Sequence, residues 1–143
     1  MEAILTQSVG PAAKTQTIKT WTARVLGALL VLFLFVDGAG KVLRLTAHVE
    51  GTAKVGFPDS AIVPMGITLI ISTLLYTIPR TAVLGAILLT GYLGGAVATH
   101  VRMGQPFYFA AVFGVIVWGC LYLRDERIRA LLPFAGRARE RRV

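Results

Sequence analysis

The sequence predicts an all-α fold: an integral membrane four-helix bundle with both termini cytoplasmic. Three observations carry that expectation. Of 143 residues, 55% are hydrophobic and 15% charged, where a soluble domain carries about 25% charged residues. Residues 60–79, 81–99 and 103–123 contain no charged side chain at all. A run of about 20 apolar residues can cross a ~30 Å hydrocarbon core as a helix, and a soluble bundle would interrupt it with Lys or Glu on its wet face. Finally, the basic residues are unevenly distributed. Lys14, Lys19, Arg24, Arg80 and the seven arginines from Arg124 to Arg142 fall on one side of such a bundle, eleven in all, against Lys41, Arg44, Lys54 and Arg102 on the other. The positive-inside rule then places both ends of the chain in the cytoplasm. The formal charge of +8 follows from topology and implies no nucleic acid partner.

Each element can be justified in order. Residues 1–20 mix Gln, Thr, Ser, Pro and Ala without apolar periodicity, which predicts a loose cytoplasmic leader. The first helix is expected at 21–45. Its apolar core, residues 25–36, is only twelve residues long and follows positive charge, as in a secretory signal. The long polar stretch before it, and no convincing small-x-small cleavage site after it, favour a retained helix. An outer loop over 46–59 is expected next, with a turn signal at Gly56-Phe57-Pro58-Asp59. The second helix, 60–78, carries Pro64 in its first turns and stops at Pro79, because proline disfavours a helical residue before it. Only Pro79-Arg80 separates it from the third helix, 81–101, so the two must form an antiparallel hairpin. Met103-Gly104-Gln105-Pro106 turns the chain into a fourth helix at 106–123. In the basic tail, 125–143, Ile128, Leu131 and Leu132 recur at helical spacing among arginines. That pattern suits a short amphipathic helix in the headgroup layer, followed by an end drawn to anionic lipid.

The small residues of the third helix read as packing positions. Helices in lipid gain little from burying apolar surface, and small residues four apart let backbones approach closely. Gly91 with Gly95, and Gly94 with Ala98, have this spacing, which predicts a third helix at the centre of the bundle.

The ionisable residues need another account. Asp37, Lys41, Arg44 and His48 are spaced 4, 3 and 4, so they share one stripe if the first helix continues that far. A carboxylate at depth faces the bundle interior, is paired, and marks function by default; Lys41, one turn on, is the obvious partner. Tyr92 lies about 12 Å inward from His100 at ~1.5 Å per residue, and Thr68 lies equally far inward on the second helix. Asp37, Thr68 and Tyr92 therefore share a layer, beneath a rim of Lys41, Arg44, His100 and Arg102. The expected result is an outward-opening polar pocket between the first three helices. Its cationic rim suits a small anion, Tyr92 supplies a hydrogen-bond donor, and His100 can carry a proton near neutral pH. A quinone ring also fits, wanting apolar walls and a donor at each carbonyl. A purely structural Asp37–Lys41 pair remains the alternative. So does a polar stripe of Thr68, Ser72 and Tyr76 whose hydroxyls bond their own helix.

The single Cys120 excludes an intramolecular disulfide and a Cys-x-x-Cys redox pair. No nucleotide-binding loop, flavin motif or zinc-type spacing is present, so no resident cofactor is identified and no metal site is expected. Three stretches together carry a resemblance: FVDGAGKVLRL at 35–45, VGFPDSAIVPMG at 55–66, and YTIPRTAVLGAILLTGYLGGAVATHVRMG at 76–104. In their order and spacing the chain resembles the DoxX-like family of small four-helix membrane proteins over residues 21–124. The resemblance implies a membrane subunit or quinone-side partner of a redox system in the cell's inner membrane, with a redox partner protein to supply electrons. It carries over no catalytic residue set. The rival expectations are a non-catalytic scaffold, whose basic tail holds a partner, and a small-solute transporter, which would need a homo-oligomer.

Overall fold

The computed structural model describes residues 11–131, with side chains from residue 21 onward. The described chain is helical, with no strand: α1 Pro11–Val42, α2 Thr46–Lys54, α3 Ile62–Thr77, α4 Ala82–Arg102, α5 Tyr108–Arg124 and α6 Glu126–Leu131. A single 3-10 turn, Asp59–Ala61, leads into α3. Three segments are long and apolar enough to cross a membrane: Trp21–Val42, Asp59–Thr77 and Ala82–Arg102. The apolar α5 is shorter, at 17 residues. The four long helices pack in a ring, α1 on α3, α3 on α4, α4 on α5 and α5 back on α1. Leu30, Leu34, Leu69, Tyr76, Leu89, Val117 and Leu121 fill its axis.

The ring corrects the expectation of a central third helix, and it also moves the packing glycines. Gly91, Gly94 and Gly95 lie on the outside of α4, and a Cβ added at any of them meets nothing within 4 Å. The close approaches fall elsewhere. A Cβ on Gly66 would come 2.7 Å from the Gly38 carbonyl oxygen, which sets the α1–α3 crossing. A Cβ on Gly85 would strike the Tyr76 backbone, 2.5 Å from its Cα, which sets the α3–α4 hairpin. Four-residue spacing marks a face on which backbones can approach, not the face that is used.

Three helix ends are shaped by the same device. Where α1 stops, the Leu45 amide bonds the Gly40 carbonyl at 3.0 Å and the Arg44 amide bonds Lys41 at 3.1 Å. Arg44 sits at φ 54, so this is a Schellman turn with a non-glycine residue at its left-handed position. The same bond pair closes α2 around Gly56 and α4 around Gly104. The turn at Arg44 ends the first helix three residues before the expected boundary and folds the chain back. What was expected as an outer loop at 46–59 is instead α2, the 3-10 turn and the short link between them.

The remaining boundaries follow local chemistry. Ile78 is extended, at ψ 121, as the residue before Pro79 must be. Within the described residues the first helix runs from Pro11, so residues 11–20 are helical where a loose leader was expected. In the tail, α6 buries Ile128 but leaves Leu131 exposed. Leu132 and the final arginines lie outside the described residues.

Candidate functional site

The turn at Arg44 decides the site. It brings α2 back over the end of α1, so that the His48 imidazole lies directly on Gly40. A Cβ on Gly40 would come 2.6 Å from Nε2 and 2.7 Å from Nδ1. In that seat His48 Nε2 is 3.4 Å from Asp37 Oδ1, while Asp37 Oδ2 accepts from Lys41 Nζ. The Lys41 side chain is only 13% exposed, and an ammonium so covered is costly without a carboxylate partner. Asp37 therefore holds two partners, one from its own helix and one delivered by the fold. His48 shares a stripe with Asp37 in the sequence only if α1 runs on, and α1 does not; a tertiary contact joins them.

Around this cluster is a cavity of about 360 Å³, between α1, α4 and α5, with α2 across one end and Met65 as the contribution of α3. That size lies at the lower end of small-molecule sites, ~300–1,000 Å³, and suits a single ring system. Its polar lining comprises Asp37, Lys41, His48, Thr52, Tyr92, Thr99 and His100. The Tyr92 hydroxyl makes no hydrogen bond to a described residue. His100 Nδ1 lies 2.7 Å from the Ala96 carbonyl, which can only accept. Nδ1 thus carries a hydrogen, and Nε2 has no partner among the described residues. His48 Nδ1 is buried and equally without a described partner.

The rest of the lining is apolar and largely aromatic. Phe33 stacks on Phe113 with ring centroids 4.8 Å apart, and Phe109 meets Phe113 at 4.7 Å and Phe33 at 5.8 Å. Phe33 lies one turn below Asp37 on the same face of α1, about 6 Å deeper. The cavity is thus polar under α2 and aromatic below.

Four of the seven expected site residues line this cavity: Asp37, Lys41, Tyr92 and His100. The other three do not. Arg44 is turned outward by its left-handed backbone and bonds Asp59 through both carboxylate oxygens, at 2.6 and 2.7 Å. Arg102 is exposed beside the Gly56 turn. Thr68 is exposed and donates to the Pro64 carbonyl at 2.9 Å. Ser72 likewise donates to Thr68 at 2.7 Å, and Tyr76 donates to the Val117 carbonyl at 2.9 Å, so the polar stripe of α3 satisfies backbone groups instead of lining a pocket. The cationic rim is not assembled: the Lys41 charge is matched by Asp37, and the Arg44 charge by Asp59. At its outer end the pocket is lined by Ala47, His48, Gly51 and Thr52 of α2.

An apolar helical bundle with three membrane-capable helices, holding paired charges, two imidazoles and a phenol around one cavity, defines the class of a membrane protein. A model of the DoxX-like family matches residues 25–120, and the chain belongs to that family. No curated protein and no solved structure matches it.

Proposed function

We propose that this DoxX-like protein crosses the inner membrane four times, with both termini cytoplasmic. In this reading the cavity binds the head of a quinone-type molecule and the chain acts as the membrane subunit of a redox system. The observation that carries the reading is the composition of one cavity. Hydrogen-bonding groups at Tyr92, His100 and His48 share it with the walls of Phe33, Leu93 and Phe113, and its carboxylate is paired with its ammonium. A small anion would find no unmatched cation there. A planar carbonyl compound would find a phenol donor, aromatic faces on which rings stack favourably, and imidazoles able to exchange the protons that accompany quinone reduction. Electrons would come from a partner protein, in keeping with the family's membership of membrane oxidoreductases. The twelve-residue end beyond Leu131 carries four arginines, which would draw anionic lipid or that partner.

The test is ligand-induced thermal stabilisation of the detergent-solubilised protein by short-chain benzoquinones and naphthoquinones. Wild type should gain several degrees at saturation. Tyr92→Phe and His100→Ala should fold and lose most of that gain. Equal shifts in all three proteins, or none in wild type, would remove the reading.

A further inference from the structure

Phe109 lines the cavity and is nevertheless 66% exposed, and Phe33 is 46% exposed. Both stand on the α1–α5 seam, and with Phe113 they form one continuous aromatic wall. The wall has two sides, one toward the cavity and one toward the surroundings of the bundle. Its neighbours on that outer surface are Leu29, Leu32 and Val112, all exposed and apolar, so the surroundings there are hydrocarbon. The opposite end, toward water, is lined by α2. Ala47, His48, Gly51 and Thr52 form one face of α2 directed at the cavity, with Val55 just past its end; His48 anchors it at Asp37 and the Arg44–Asp59 pair lies beside it. A helix lies at one end, whereas two phenylalanine side chains stand at the side. Rotamer changes of exposed side chains take only pico- to nanoseconds.

We propose that the cavity is entered sideways from the lipid, between α1 and α5, through a gate formed by Phe33 and Phe109. Its ligand is then a membrane-borne molecule whose alkyl or prenyl tail lies along that seam while its polar ring faces Asp37, Tyr92 and His100. This rests on the ring-binding reading above and adds to it the class of ligand and its route. The bound ring sits at the polar end and its tail passes the aromatic wall, because only that side offers hydrocarbon to a chain too apolar for water.

The experiment uses the full chain in lipid nanodiscs and a benzoquinone with a decyl tail carrying a photoreactive diazirine. Irradiation and peptide mapping should place the tail label on residues 25–36 of α1 and 109–116 of α5. An excess of the tail-less benzoquinone should displace it. Phe109→Ala, at an exposed position, should raise the association rate of the decyl probe severalfold. Displaceable labelling confined to α2 and the Gly104 turn, with no effect of Phe109→Ala, would overturn lateral entry and leave ring binding standing. Absence of any displaceable labelling would remove both.

Discussion

Gly40 shows how far one missing side chain can reach. Its lack of a Cβ is what lets the His48 ring lie against α1 within reach of Asp37, so the geometry of the cluster is set by a residue with no chemistry of its own. Gly40→Ala should therefore force the imidazole off its seat, costing about 1–3 kcal/mol by overpacking and weakening ring-ligand stabilisation. Gly40→Ala/His48→Ala should recover most of the fold stability, because the obstructing ring is gone, but not the ligand response. Thermal unfolding with and without the short-chain quinone measures both, and residues in such contact are expected to couple non-additively. A double variant no more stable than Gly40→Ala would show that the ring is not what the methyl group meets. At this scale the sequence was informative where local rules suffice. Asp37 and Lys41, four apart on one helix, were legible as a pair, and Tyr92 and His100 were placed by counting turns. Arg44 was misplaced because its left-handed backbone cannot be seen in an arginine, a residue that seldom adopts it. His48 was on the right stripe for the wrong reason.

At the scale of the element, the same limit appears in the glycines. Helix existence, the Pro79 stop and the α3–α4 hairpin follow from uncharged runs and proline chemistry, and all were legible. Which face of α4 meets α3 was not, since GYLGG satisfies the spacing for close packing while the lone Gly85 makes the contact. The two positions predict opposite outcomes. Gly85→Ala drives a methyl group into the Tyr76 backbone, which has no flexible end to yield, so it should cost at least the ~1–3 kcal/mol typical of overpacking in a thermal unfolding series. Gly91→Ala meets nothing in this chain and should gain about 0.5–1 kcal/mol from helix propensity. A loss at Gly91, accompanied by a change in sedimentation, would show that a second copy packs on that outer face of α4. The short α2 was also hidden in the sequence. Thr46-Ala47-His48-Val49-Glu50-Gly51 has no capping residue and an internal glycine, and the helix is held by what it covers: Thr52 is buried and His48 is wedged on α1.

For the whole molecule, the ring of four long helices has two chemically different ends. One end holds α2, the three left-handed turns and the Asp37–Lys41–His48 cluster. The other holds α6 and a latch in which Arg124 lies 4.6 Å over the Tyr76 ring and donates to the Tyr76 carbonyl at 2.5 Å. The proposed orientation puts the α2 end outside and the α6 end in the cytoplasm, because basic residues near membrane-spanning segments are retained inside. A single-cysteine series tests this directly. The native Cys120 is buried in α5, and Cys120→Ser removes it as a background. Glu50→Cys on α2 and Arg127→Cys on α6 then place one exposed thiol at each end. A membrane-impermeant maleimide applied to intact spheroplasts should label Glu50→Cys at once and Arg127→Cys only after permeabilisation. The reverse order would invert the protein and put the covered polar end of the cavity in the cytoplasm, so that protons reaching His48 and His100 would be drawn from the other side of the membrane. Labelling of both sites before permeabilisation would mean that the 17-residue α5 does not return the chain across the bilayer. In that case the wall of Phe33, Phe109 and Phe113 would not stand in hydrocarbon, so the orientation test also bears on how a ligand reaches the site.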